Sequence, residues 1–471
     1  MAAVIVITIA LGTLAFGAVY PWAFLPLFAV TALIGVAGLR HGSLSRELRP
    51  LALAVLVLFG AVAVQLLPMS QSTLNTLSPH AGPLVDSLTF TGGGSDWRPL
   101  SINPAATRIA LIAFAALSLY LLGLPALLGG RRLRALPRDL AIFAVPLALF
   151  GIYARQHNNG LIYWFWWPRD GGGAGQFGPF VNRNHFAGWM LMAVCLFVGL
   201  LFGQVERAVP EHARHRQRWL GWLSSAEANT ILLTGLAVLV AVIALVWTMS
   251  RSALLGFGVG TATFGWLVLR RRRLSWRRRA GVLGILGAVL LAGAIRRGLN
   301  QLVAWFQDNR DLLGRLDAWR DGWDLVRDFP LFGTGLNTYP TAMLFYQKHN
   351  LELYVAQAHN DYLQLLAEGG LVVTIAAAIA IVFLARAILR NLRTARSESR
   401  GYWIRAGAAV GLLAIAVQEI FEFSLQIPAN AVLCCTLAGI ALSRVHANST
   451  HASDSRANID RAGSSPDVSL P

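Results

Sequence analysis

The chain has 471 residues, of which 55% are hydrophobic and 13% charged, with a formal net charge of +17. Soluble domains carry about a quarter of their residues as charged side chains, so this composition excludes an ordinary soluble protein. The basic excess does not indicate nucleic-acid binding, because it lies in short blocks between apolar runs, where Lys and Arg set membrane topology.

Apolar runs near 20 residues recur, each long enough to cross about 30 Å of hydrocarbon. They predict an all-α integral membrane protein with about twelve transmembrane helices, at roughly 2–19, 22–39, 51–67, 106–126, 139–154, 186–203, 231–249, 252–269, 280–295, 371–389, 403–420 and 427–443. The first run has no basic residues before it and no cleavage pattern after it, so it reads as a retained span. Pro21 and Trp22 mark a tight first turn. Arginine blocks follow the second, fourth, sixth, eighth, tenth and twelfth spans, from Arg40 and Arg131 through Arg270 to Arg444. Strict alternation then predicts that both termini are cytoplasmic.

The loops at about 68–105, 155–185 and 296–370 are expected outside, with short turns near Ser250 and Phe421. The first contains Gly92, Gly93, Gly94 and several prolines, and is expected to be irregular. Residues 1–444 read as one membrane domain and 445–471 as a disordered cytoplasmic tail. Cys195, Cys434 and Cys435 lie inside apolar runs as small buried hydrophobes, with no metal-type spacing.

The large loop, 296–370, has a pattern of its own. Leu312, Leu316, Trp319, Trp323 and Val326 recur at steps of three and four, which predicts an amphipathic helix ended by Pro330. Gly333-Thr334-Gly335 is a sharp turn. A second helix is expected from near His359 to Gly369-Gly370.

Five places carry residues suited to chemistry. His359, at a positive helix end, reads either as a neutral general base or as a helix cap. Asn360 beside it is a candidate substrate contact. Arg315 reads either as a phosphate ligand or as a charge on the exposed side of its helix, and Arg320 is a further candidate for substrate. Arg251, between two apolar runs, either snorkels to the membrane surface or binds phosphate bidentately. Asn182, Arg183 and His185 enter the sixth span as a polar cluster that could bind sugar or phosphate, or simply cap the helix. The span centres lack the ionisable residues that transporters keep there.

Arg315-Leu316-Asp317-Ala318-Trp319, Pro330 to Gly335 and His359-Asn360-Asp361-Tyr362-Leu363-Gln364 together resemble the shared core of the O-antigen ligase and polymerase superfamily. Pro21-Trp22, Asn182 to Phe186 and Ser250-Arg251-Ser252 are also similar to its members. So is the layout of about twelve spans with one large external loop before the tenth. The resemblance implies a membrane glycosyltransferase of the bacterial inner membrane whose site faces the periplasm. It implies inverting transfer of a glycan from undecaprenyl pyrophosphate to an acceptor hydroxyl, on lipid A–core or similar, without metal or other cofactor. Within it, His359 is the catalytic histidine, and Arg251 and Arg315 bind the pyrophosphate. A polysaccharide polymerase of the same superfamily is the alternative, and a lipid-linked-glycan flippase is the alternative from another class.

Overall fold

The computed structural model describes residues 1–88, 97–168, 175–208, 224–270, 284, 310–349, 351–352, 354–395 and 399–443. The chain is built from fifteen α-helices among the described residues. They are α1 Ala2–Leu14, α2 Pro21–His41, α3 Arg49–Val64, α4 Gln71–Leu77, α5 Ala81–Leu88, α6 Pro104–Leu127, α7 Arg131–Gln156 and α8 Arg183–Ala208. There follow α9 Ala226–Trp247, α10 Arg251–Arg270, α11 Arg310–Asp328, α12 Tyr339–Tyr346, α13 Asp361–Thr394, α14 Ser399–Gln418 and α15 Pro428–Leu442.

Eight helices (α2, α6 to α10, α13 and α14) are long and apolar enough to cross a membrane. Three shorter apolar helices, α1, α3 and α15, fall on the first, third and last expected spans. The expected span at 280–295 lies outside the described residues apart from Gly284, as do the tail and the glycine run at 92–94. α8 is the central helix, buried along the whole of its apolar window. A helix that is apolar on every side packs inside a bundle.

Two expectations need correction. The 68–105 segment is more ordered than its glycines and prolines suggest. Ser70 caps α4 by accepting from the Thr73 backbone N–H, and Met69–Ser70 pairs antiparallel with Trp97–Arg98. Its apolar side chains, Leu74, Ala81 and Leu84, are buried in one cluster with Leu325, Phe329 and Tyr339 of the large loop. The large loop also contains a helix that the periodicity does not predict, α12, with Pro340 in its first turn.

Side-chain contacts fix which helix ends lie together. The turn after α1 meets Phe180 and Ile427 at Gly17. Gly151 in α7 lies against Phe177 and Phe186, and Gly256 in α10 against Leu191 and the Ala414 carbonyl. Thus the start of α8, the start of α10, the end of α14 and the start of α15 share one end of the bundle. At the opposite end, Arg405 donates to the Ser443 carbonyl and Asn391 to the Ala441 carbonyl.

Gln65, at the end of α3, ties the large loop to the bundle. Its side chain donates to the carbonyls of Phe332, at 2.6 Å, and Glu368, at 2.9 Å, and accepts from Leu336 N–H at 3.1 Å. Gln65→Ala leaves the Phe332 carbonyl and the Leu336 N–H unpaired, each costing about 1–3 kcal/mol when buried, whereas the Glu368 carbonyl still accepts from Gly335 N–H. A clear fall in the melting temperature of the detergent-solubilised protein is the expected result.

Candidate active site

The shared end of the bundle gathers a polar cluster around one carboxylate that the sequence reading did not single out, Glu422. Its side chain is fully buried in the turn between α14 and α15. Arg315 Nη2 donates to Glu422 Oε1 at 2.6 Å, and Asn184 Nδ2 donates to the same oxygen at 2.6 Å. His359 Nδ1 stands 3.6 Å from the other oxygen, at ion-pair range and slightly long for a hydrogen bond. Burial alone pushes the Glu422 carboxyl up. His359 and Arg315 beside it more than reverse this, so it is held below the usual carboxylate range.

Local structure explains how His359 reaches this place. Its backbone is in the left-handed region, φ +50°, which is costly for a residue with a Cβ. Such a conformation persists only where neighbours enforce it, and here they do. The Ala358 carbonyl accepts from Trp319 Nε1 at 2.9 Å, and Ala358 N–H donates to Gln364 Oε1 at 3.1 Å. On the other side Asn360 is the N-cap of α13, accepting from Tyr362 and Leu363 N–H. His359 therefore sits one residue before the cap, with about a third of its side chain exposed.

Arg315 projects from the buried side of α11. Its Nη1 also donates to the Phe421 carbonyl at 2.6 Å, so one guanidinium holds both the backbone and the carboxylate of the 421–422 turn. The ring of Phe423 meets His359 edge-on at 5.0 Å and His185 edge-on at 4.5 Å. Among the described residues, the buried Nε2 of His185 has no hydrogen-bond partner.

The remaining candidates fall into different places. Asn182 accepts from Asn184 N–H as a helix cap, and Arg183 is the first residue of α8. Arg251 opens α10 at the same end of the bundle, between buried Ser250 and Ser252. Arg320 is five residues beyond Arg315, roughly 140° around the helix. Its side chain is exposed and paired with Asp317 at 2.8 Å.

The geometry supplies an imidazole whose Nδ1 faces a buried carboxylate. Its other nitrogen, Nε2, is left to exchange a proton, and the carboxylate stabilises the imidazolium. Glu422 also fixes a guanidinium beside it. The sequence held one signal for Glu422. With Glu419, it is the only acid between residues 403 and 443, in an otherwise apolar stretch.

Residues 236–378 match a family model described as O-Antigen ligase. The matched segment contains Arg251, Arg315, His359 and Asn360; Asn184, His185 and Glu422 lie outside it. Comparison with curated proteins gives no match.

Proposed function

We propose that this protein, which belongs to the O-antigen ligase and polymerase superfamily, transfers a glycan from undecaprenyl pyrophosphate to a hydroxyl of lipid A–core or a similar acceptor. The transfer takes place at the periplasmic face of the bacterial inner membrane. The observation that carries this reading is the meeting of His359 and Arg315 on one buried carboxylate, at the bundle end where Arg251 begins α10.

Each group has a role in the step. The acceptor oxygen attacks the anomeric carbon while the bond from that carbon to the pyrophosphate oxygen breaks. Attack opposite the leaving group inverts the anomeric centre. His359 Nε2 takes the hydroxyl proton, and Glu422 offsets the charge that the imidazole gains. The pyrophosphate leaves with one further negative charge, which guanidinium groups stabilise through bidentate hydrogen bonds. Arg251 and Arg315 fill that role in this reading. Arg315 has two of its nitrogens committed to the 421–422 turn and offers its remaining N–H groups.

His359→Ala is the direct test. Loss of a general base typically costs about 10²–10⁴ in rate. A deletion strain complemented with this variant is expected to show uncapped lipid A–core on an envelope-glycan gel, with normal amounts of the protein in the membrane. Wild-type glycan on that gel would rule out His359 as the base.

A further inference from the structure

The start of α13, which follows His359, and the turn after α14, which carries Glu422, are stitched together. Asp361 N–H donates to the Glu419 carbonyl at 3.0 Å, and the Tyr362 hydroxyl to the Ala416 carbonyl at 2.7 Å. Gln426 Nε2 donates to Asp361 Oδ1 at 2.7 Å, and Gln364 Nε2 to Gln426 Oε1 at 3.3 Å. Gln364 Oε1 in turn accepts from Ala358 N–H, next to His359. Each of these contacts pairs a donor with an acceptor.

One contact in this seam does not. The carboxyls of Asp361 and Glu419 meet within hydrogen-bond range. Glu419 is 2% exposed. The Leu425 N–H lies beside its carboxyl, but among the described residues neither Glu419 oxygen receives a well-formed hydrogen bond. Asp361 and Tyr362 of α13, Glu422 of the turn and Cys434 of α15 face it, and none of these is a cation. Arg315, His359 and His185 face Glu422 instead. Two carboxylates side by side in a buried place repel, whereas a carboxylic acid donates a strong hydrogen bond to a carboxylate. Burial, with the Asp361 carboxyl beside it, accordingly pushes the Glu419 carboxyl well above the usual carboxylate range.

We propose that Asp361 and Glu419 share one proton, and that this bond positions His359 against Glu422. Asp361 is two residues beyond His359, and Glu419 is three residues before Glu422. The bond therefore joins the two segments that carry the imidazole and its carboxylate. While the proton is held, the segments close on each other and His359 Nδ1 stays near Glu422. When hydroxide removes it, both carboxyls are anionic and repel, and the imidazole loses the carboxylate that stabilises its cation. Asp361 is only partly buried, so the proton exchanges with water. Both are positioning residues, acting through His359 and Glu422. That role rests on the transfer reading above; the shared proton does not.

The test uses the full-length protein in detergent as wild type, Glu419→Gln and Glu419→Ala. A carboxyl that binds protons more tightly when folded contributes stability that is complete below the unfolded value of about 4.3 and is lost as pH rises through the folded value. The glutamine amide donates to Asp361 at any pH. The melting temperature of the wild type is therefore expected to fall relative to that of Glu419→Gln as pH rises from 5 to 9. Transfer is measured over the same range with lipid-linked glycan and lipid A–core extracted from the parent strain. The wild-type rate should fall by up to about tenfold per pH unit on the alkaline side. Glu419→Gln should remove that fall, and Glu419→Ala should be slow throughout. A melting gap that does not change with pH would overturn the shared proton. A widening gap with the same alkaline fall in both proteins would overturn the positioning role. Normal transfer by His359→Ala beside a widening gap would overturn the transfer reading and leave the shared proton standing.

Discussion

Glu422→Gln is expected to remove glycan transfer while the protein still reaches the membrane. The amide keeps the size of the side chain and can still accept from Arg315 through its oxygen. Its nitrogen then stands where Oε2 stood, 3.6 Å from His359 Nδ1. An amide N–H directed at Nδ1 makes that nitrogen an acceptor and places the ring proton on Nε2, the nitrogen required as base. A histidine in the wrong tautomer, without a carboxylate to stabilise its cation, typically loses about 10²–10⁴ in rate. Glu422→Ala goes further, because it strands Arg315 and Asn184 beside a cavity. Breaking a buried pair in this way costs about 3–5 kcal/mol.

The same carboxylate sets a pH dependence with a defined sign. Its folded-state affinity for protons is below that of the unfolded chain. Its contribution to stability is therefore complete above the unfolded value of about 4.3, and is lost as pH falls through the lower folded value. The gap in melting temperature between wild type and Glu422→Gln should be constant near neutrality and narrow in acid. Thermal unfolding in detergent from pH 3 to 7 measures this. A gap that stays constant in acid, or a variant with undiminished transfer, would remove Glu422 from the proposed centre.

Much of the helical layout is legible because a membrane imposes it. Apolar runs must be helices, since the backbone has no other partner in hydrocarbon. The existence of α11 was also readable, because Leu312, Leu316, Trp319, Trp323 and Val326 follow a 3.6-residue period, but its buried face was not, since Leu312 and Trp323 are exposed while Ala318, Leu325 and Val326 are buried. That period places Arg315 and Arg320 on different faces, which explains why one meets Glu422 and the other faces water. What could not be read is pairing over long separations. Glu422 is 107 residues from Arg315, and Asn184 is 238 residues from Glu422. No local pattern encodes either contact. The role of Gln65 is hidden for the same reason: a glutamine at the end of an apolar run reads as an interfacial residue until its partners near Phe332 and Glu368 are known.

Gly370→Ala is expected to prevent folding of the site altogether. Gly370 has φ +60° and ψ −168°, a region essentially closed to residues with a Cβ. A methyl group there would lie 2.4 Å from the carbonyl carbon and oxygen of Leu331. Those atoms cannot yield cheaply, since Leu371 N–H donates to the Pro330 carbonyl at 2.8 Å and Val372 N–H to the Leu331 carbonyl at 3.0 Å. A methyl group on Gly333, which has φ +65°, would likewise lie 2.3 Å from the carbonyl of Glu368 on the other side, so the two turns interlock. Glu368 in turn accepts from the N–H groups of Asn337 and Tyr339 and so caps α12. Backbone strain of about 1–3 kcal/mol adds to the displacement of this assembly, a combined cost of about 4 kcal/mol or more. The first turns of α13 then lose their anchor, and with them the backbone that holds His359 at φ +50°. Gly60→Ala is the matched control, because nothing lies within 4 Å of its added methyl group. It sits inside α3, where alanine is favoured over glycine by about 1 kcal/mol. Size-exclusion and melting profiles should therefore show aggregated or absent Gly370→Ala and a folded, active Gly60→Ala. Equal profiles for the two would mean that the interlocked turns do not hold the site in place.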